Sequence, residues 1–341
     1  MSILGAGDHF GLDVGTNSLR LVQLNPSGSR YVLKSFGYAP IPEGLSQSDS
    51  KLDMQKIAQS IETLIKQTGT STKNVVSAIP GTSTFTATID LPPMSHAELE
   101  KAIAYQAEQN LPVKLDDVRF DYQVIKEDPQ TKELRVMLIA ATKSKVKQFI
   151  ELLNMAKLNV LAMETSAVAM ARSLSVADSP HAMILDIGAT TSEIAVLEKG
   201  VLNQTRSFPL AGYAITRAVS QQLGLDINQA EQFKQRFGLS QDKLEGQVYK
   251  ASEPIIRNIL DEAVRSAKFY EEQTGSSIQR IILTGGSSRL PLLLEFIKSY
   301  MNVEVMYGNP WVNVSYASKL NDSITKTAPD FATAVGLAMR Q

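Results

Sequence analysis

The chain has no cysteine. That excludes disulfides, thiolate metal sites and cysteine nucleophiles, and it fits a reducing compartment. Histidine is almost as scarce: His9, His96 and His181 stand far apart, which argues against a histidine-rich metal site. No run of about eighteen apolar residues occurs, so no transmembrane helix is expected. The opening residues, MSILGAGDHF, lack a basic start and a long apolar core, so no signal peptide is expected either. The last residues, ATAVGLAMRQ, read as a short helical patch rather than a separated amphipathic anchor. No direct membrane insertion is therefore expected, and a role at a membrane would need a second protein. An excess of charge of either sign is also missing. The net charge is −1, which exerts no global pull toward nucleic acid, so no nucleic-acid partner is expected.

What is present is ordinary in composition and distinctive in pattern. With 43% hydrophobic and 20% charged residues, the 341-residue chain reads as a globular α/β protein of about two domains. Residues 10–24, FGLDVGTNSLRLVQL, and 183–197, MILDIGATTSEIAVL, are near copies. Each is an apolar strand ending in Asp (Asp13, Asp186), then Gly, small residues and hydroxyls, then a second β-rich run. Gly permits positive φ, and backbone amides in such a turn can surround phosphate oxygens. A plain hairpin with a polar turn would read the same way. The duplication is what suggests two related lobes, each contributing half of a phosphate site.

The rest of the chain fills in around these copies. Residues 30–40 read as a third strand, 53–67 as a core-facing helix capped by Asp53 and stopped by Gly69, and 74–80 as a buried strand. Residues 82–160 read as an inserted α+β unit, in the order strand, helix, strand, strand, helix. Its first helix opens with a Ser95–Glu98 capping box and stops at Leu111-Pro112, and KEDPQTKE forms a polar turn. NVLAME, 159–164, returns as a strand and leaves Glu164 at a strand–helix junction, where a helix dipole favours a carboxylate.

After the second hairpin, Gly212 begins one helix, and Asp226 caps another that ends at Gly238. Glu231 and Lys234 share a face of that second helix and read equally as a surface ion pair. A long helix over 247–274 is interrupted or started near Pro254. RIILTGG runs a buried strand into Gly285-Gly286, followed by Ser287-Ser288 and a helix opening at Leu290-Pro291. That arrangement lets a nucleotide approach the backbone closely. Residues 303–320 read as irregular, and Ala328-Pro329 opens a last helix whose Gly336 predicts close packing on another helix.

Taken in order, the two hairpins, AEQFK at 230–234, LTGGSSRL at 283–290 and DFATAVGLA at 330–338 resemble the actin-like ATPase superfamily. The run ELEKAIAYQAEQNLPVKLDDVRFDYQVI, 98–125, and LAMETSA, 161–167, resemble the PilM family of type IV pilus assembly proteins in particular, relatives of the division protein FtsA. The resemblance implies an actin-like fold with residues 1–81 and 161–175 as first lobe, 82–160 as an FtsA/PilM-type inserted subdomain, and 176–341 as second lobe. It implies ATP and Mg²⁺ as ligands. Asp13 and Asp186 would hold the metal, mostly through water. Gly15, Thr16, Asn17 and Ser18 would hold the terminal phosphates from one side, and Gly188, Ala189, Thr190 and Thr191 from the other. Glu231 and Lys234 would meet ribose and adenine, Gly212 would lie near the ribose, and Gly285, Gly286, Ser287 and Arg289 would line the nucleoside side. Glu164 and Asp13 would be the catalytic carboxylates.

Some relatives carry two glycines where this chain has Ala211-Gly212, and an Asp where it has Ala218. Ala189 also removes a glycine from the second turn. These departures imply ATP binding with at most slow hydrolysis. The partner implied is the N-terminal cytoplasmic peptide of a PilN-like inner-membrane protein, bound between first lobe and insert, within the pilus assembly machinery. The chain would then be cytoplasmic and recruited to the inner membrane by that partner. Self-association is left open. An FtsA-like filament-forming ATPase and a small-molecule kinase of the same superfamily stay as alternatives.

Overall fold

A computed structural model describes residues 8–42, 44–48, 50–110, 114–127, 130–175 and 180–341. The opening seven residues, the expected helix stop at Leu111-Pro112, part of the KEDPQTKE turn and the start of the second lobe at 176 lie outside them. The chain begins with an antiparallel meander, β1 (Phe10–Val14), β2 (Ser18–Ser27) and β3 (Arg30–Pro40). Helix α1 (Lys51–Thr68) follows, with Met54, Ile57, Ala58, Ile61 and Leu64 buried at helical spacing. Gly69, in the left-handed conformation, ends it by donating to the carbonyls of Ile65 and Lys66. The N-cap position is Ser50 rather than the expected Asp53. Asp53 sits in the first turn instead, where it accepts from Ser48 Oγ at 2.7 Å and pairs with Lys56.

Strand β4 (Asn74–Ile79) leads into the insert: β5 (Thr84–Leu91), α2 (His96–Asn110), β6 (Val118–Glu127), β7 (Leu134–Thr142) and α3 (Lys143–Met155). The expected element order is present, and its strands form a separate antiparallel sheet in the order β5-β7-β6. The capping box also forms. Ser95 N donates to Glu98 Oε2 at 2.8 Å, and Glu98 N donates back to Ser95 Oγ. Strand β8 (Asn159–Thr165) then returns to the first sheet and feeds α4 (Ser166–Leu174).

The second half repeats this plan with β9 (His181–Ile187), β10 (Ser192–Glu198), β11 (Val201–Phe208), α5 (Gly212–Leu223) and α6 (Ile227–Phe237). Asp226 caps α6 as expected, accepting from Asn228 N and Gln229 N at 2.9 Å each. The long helix α7 (Gln247–Thr274) runs through Pro254. Next come β12 (Arg280–Thr284), α8 (Leu293–Met301), β13 (Glu304–Tyr307), β14 (Val314–Ser315), α9 (Asn321–Thr327) and α10 (Ala332–Ala338). The expected helix start at Leu290-Pro291 is instead a 3-10 turn over Gly286–Arg289, with α8 beginning later.

Strand order makes the duplication physical. The first sheet contains β3-β2-β1-β4-β8 and the second is β11-β10-β9-β12-β13, the same order in sequence terms. Between β12 and β13 the crossover is α8. Between β4 and β8 it is the whole insert with α3. Alternation places Leu19 and Leu21 under α1, and Val22 and Leu24 under the C-terminal segment with Trp311 and Phe331. That second contact differs from the expected division. Strand β14 pairs with β3 (Val314↔Tyr31), and α10 packs on β1 and α4, so the end of the chain lies on the first lobe. Gly336 is packed against the backbone of Ala169 in α4, as its position predicts. Helix α4 also packs on the second sheet through Ala167, Met170 and Ala171, so one helix is shared by both lobes. Among the described residues no helix is long and apolar enough to cross a membrane.

Candidate functional site

The two hairpin turns close with the same backbone bond. Gly15 N donates to Ser18 O and Gly188 N to Thr191 O, both at 3.0 Å. Register then sets what faces what: Asp13 opposes Arg20, and Asp186 opposes Glu193. Across the lobes the turns meet directly, with Thr16 Oγ1 and Thr190 Oγ1 2.9 Å apart. Between them lies a cleft of about 590 Å³, within the range of small-molecule sites.

Of the positions read from the sequence, Asp13, Gly15, Thr16, Asn17, Ser18, Asp186, Gly188, Ala189, Thr191, Gly212, Glu231, Lys234, Gly285, Gly286, Ser287 and Arg289 all line this one cleft. Thr190 does not line it but joins the two turns. Lys234, only 7% exposed, ties α6 to the start of α5. Its Nζ donates to Gly212 O at 3.2 Å, Thr216 Oγ1 at 2.9 Å and Glu231 Oε2 at 2.7 Å. The pair is therefore built into the cleft wall, not a surface bridge. Burial raises the Glu231 carboxyl, but Lys234, with Thr216 and Gln235, outweighs it and holds the group below its usual range.

Two glycines are required by close approach. A Cβ on Gly212 would fall on Ser287 Oγ, which donates to Gly188 O at 2.7 Å. Gly285 has φ +88°, and a Cβ there would lie 2.6 Å from Asp186 Oδ1. The first amides of α5 are not free for a ligand. Gly212 N donates to Gly188 O and Tyr213 N to Ala189 O, at 3.2 and 2.6 Å.

Glu164 stands apart from the other expected positions. It does not line the cleft, and its carboxylate is occupied. Arg172 grips both oxygens at 2.6 and 2.9 Å, and Arg340 adds a further bond. A glutamate that does face the cleft is Glu193, which accepts from Ser166 Oγ at 2.5 Å. The sequence reading passed over Glu193 and Arg20, although the repeat offers a signal: they occupy the same place in the two copies.

The cleft is rich in buried acid. Burial raises Asp186 to about 7, helped by Glu193 and Asp13, and burial raises Glu193 to about 7 despite the Ser166 bond. Asp13 is pushed up by burial against the pull of Arg20, which stands 3.3 Å away. Asp330, paired with Arg289 at 2.8 Å, is also raised, by burial first. Asp330 Oδ1 and Ser207 Oγ are buried cleft atoms without a hydrogen-bond partner among the described residues. Among those residues no group of three or more His, Cys, Asp or Glu is arranged to hold a metal directly. A cation here would be held by few protein oxygens, the rest coming from water or ligand.

Comparison with known proteins agrees with this architecture. A family model described as type IV pilus assembly protein PilM matches residues 11–341. The structure titled PilM-PilN type IV pilus biogenesis complex superposes with a TM-score of 0.87 at 27% identity, covering 98% of this chain and 98% of that one. MreB 5 of Spiroplasma citri bound to AMPPNP superposes with a TM-score of 0.54 at 11% identity over 98% of this chain and 95% of that one. That second likeness shows the actin-like fold. The cell division protein FtsA of Neisseria meningitidis serogroup B is 27% identical over 175 residues, which is 45% of this chain and 41% of that protein.

Proposed function

The chain belongs to the family of type IV pilus assembly proteins PilM, and from that premise we propose that it is an actin-like scaffold that binds ATP between its lobes and a membrane partner through its insert. The partner is the N-terminal cytoplasmic peptide of a PilN-like inner-membrane protein, which holds an otherwise cytoplasmic chain at the membrane. The observation that carries the nucleotide half is the meeting of two equivalent Gly-turn hairpins over one cleft with buried acid and orphaned polar atoms. Those carboxylates fit a divalent cation, since on the protein's own charges they are held partly protonated near neutral pH. Asp13 and Asp186 would hold Mg²⁺, which when bound neutralises polyphosphate charge.

The chain's own groups do the rest. The two turns, Gly15–Ser18 and Gly188–Thr191, would meet phosphate oxygens, with the Gly15 and Gly188 amides already used to close them, and Arg20 would add positive charge beside them. Glu231 and Lys234 frame the ribose and base side. Gly212, Gly285 and Gly286 leave room for the nucleoside, and Arg289 borders it. Glu164 is occupied by arginines, and Glu193 accepts from Ser166, so neither stands ready as the base of a fast reaction. That favours slow hydrolysis.

Coupling to the partner has a physical route. The insert hangs from the first lobe, yet touches the second: Thr86 Oγ1 and Thr205 Oγ1 are 2.8 Å apart, and Thr88 Oγ1 donates to Asn203 O at 3.1 Å. At the root of the insert, a Cβ on Gly81 would lie 2.8 Å from Glu193 Oε1 and 3.0 Å from Ser207 Oγ, both cleft residues. Lobe closure must move these contacts, so a nucleotide that prefers one lobe spacing changes the insert's partner surface. The test is a titration of the PilN peptide into the chain with and without ATP–Mg²⁺. Coupling of about 1–3 kcal/mol, or about 5–150-fold in affinity, is expected. Absence of peptide binding in both states sinks the reading.

A further inference from the structure

A second cavity lies between the insert and the second lobe and shares no lining residue with the nucleotide cleft. We propose that it binds a soluble small molecule carrying a phosphate-like anionic group beside a ring or short apolar part. Its volume is about 480 Å³, in the range of small-molecule sites. The charged residues lining it are Arg135 from β7, Arg206 from β11 and Arg265 from α7, with no Asp or Glu among them. Their carboxylate contacts are shared unevenly. Asp90 takes Nε and Nη2 of Arg135 at 2.7 and 3.1 Å. Among the described residues Glu262 is the carboxylate in contact with both Arg206, at 2.6 Å, and Arg265, while Asp261 acts on Arg265 and Glu198 on Arg135 by charge without such a contact. One contacting carboxylate between two guanidiniums leaves donors for a ligand, and guanidinium forks suit phosphate and carboxylate oxygens.

Two neighbours on α7 complete the site. Ser266 is 2% exposed, lines the cavity, and its Oγ has no hydrogen-bond partner among the described residues. A buried hydroxyl without a partner is the exception in folded proteins and marks a place for a ligand atom or a water. Phe269 lines the same wall yet is 50% exposed, which offers a ring face beside the charge. The cavity adjoins the Thr86–Thr205 contact, so an occupant bridges the insert and the second lobe. The site stands apart from the nucleotide and peptide reading and survives that reading's failure.

The test uses the full chain and phenyl phosphate as probe, followed by calorimetric titration. Saturable binding is expected, weakened about tenfold by Arg265→Gln or Arg206→Gln, since a charge-assisted bond is lost in each. Phe269→Ala should weaken phenyl phosphate several-fold and leave inorganic phosphate unchanged. All three side chains are about half exposed, so these variants should keep the fold, which circular dichroism checks. Absence of saturable binding, or binding that survives both arginine substitutions, overturns the proposal. So does co-sedimentation with phosphatidic-acid vesicles that these substitutions abolish while phenyl phosphate fails to bind, because the anion would then belong to a lipid.

Discussion

Glu164 provides the sharpest test of the site's boundaries. The substitution is Glu164→Gln. The carboxylate is 6% exposed and receives Arg172 on both oxygens and Arg340 on one, with the arginine side chains 29% and 36% exposed. Breaking a fully buried pair costs about 3–5 kcal/mol, and an exposed one about 0–1 kcal/mol. With the acid buried and the bases one-third exposed, the expected loss is about 2–3 kcal/mol. Arg172 also donates to Gly336 O at 2.6 Å, so the same guanidinium helps fix α10 against α4. At about 2 °C per kcal/mol for a chain of this size, the midpoint should fall by about 4–6 °C. Nucleotide affinity should move by no more than about twofold, or 0.4 kcal/mol. Scanning calorimetry and nucleotide titration read both quantities on one preparation. An unchanged midpoint with a tenfold loss of ATP affinity or turnover would place Glu164 in the chemistry and refute its structural assignment.

Gly212→Ala puts a methyl on Ser287 Oγ and breaks the Ser287–Gly188 contact, so nucleotide affinity should drop about tenfold, roughly 1.4 kcal/mol, by calorimetric titration. Thr86→Val with Thr88→Val removes both hydroxyl contacts between insert and second lobe. Stability should fall by about 1–2 kcal/mol, and the effect of ATP on peptide affinity should shrink toward none; full coupling in the double variant would refute the route. Asp186 and Glu193 titrate at about 7 in the folded chain, above the 3.8 and 4.5 of the unfolded groups. The folded state therefore holds more protons, and nucleotide-free stability should fall as pH rises from about 4 to about 7 and then level off. Glu193→Gln should flatten that slope, and a midpoint rising over this window would contradict it. Gly336→Leu drives a side chain into the backbone of Ala169 and should destabilise by at least about 3 kcal/mol or prevent folding, measured by denaturant melting.

What was legible in the sequence were features written locally. The hairpins announce themselves by Asp and Gly at fixed places, the insert by its capping box and alternating strands, and α1 by five apolar residues on one face. The duplication suggested that the two turns meet, and the sixteen positions that the family resemblance implied share the cleft. What was not legible depends on partners distant in the chain. Strands β13 and β14 have four and two residues, too short for any alternation, and β14 exists only because Val314 meets Tyr31. For the same reason the C-terminal segment reads as part of the second lobe, whereas β14 and α10 pack on the first sheet. Glu164 looks free at its junction because one of its partners, Arg340, lies 176 positions away. Double glycine at 285–286 reads as a helix N-terminus, whereas the backbone spends four residues in a tight 3-10 turn before α8.

The repeat is closest in backbone and fails in charge, and that failure bears on how the cleft closes. Backbone bonds, strand order and the two Asp residues recur. The residue opposite each Asp does not: it is Arg20 in the first lobe and Glu193 in the second. The first lobe thus presents a guanidinium beside its acid, while the second presents two carboxylates, both raised first by burial, with Glu193 adding to the rise of Asp186. A bare polyphosphate is attracted to one wall and repelled by the other, so on its own it gives little reason for the lobes to approach. A cation held by Asp13 and Asp186, as proposed, would reverse the sign at the second wall without disturbing Arg20 at the first. Closure would then depend on cation and nucleotide together, because neither alone satisfies both walls. The Thr16–Thr190 contact adds too little to hold the lobes by itself, since one part-buried hydroxyl pair contributes about 1 kcal/mol. On the proposed function, the charge asymmetry and not the symmetry of the hairpins is what would make the lobe spacing responsive to a ligand.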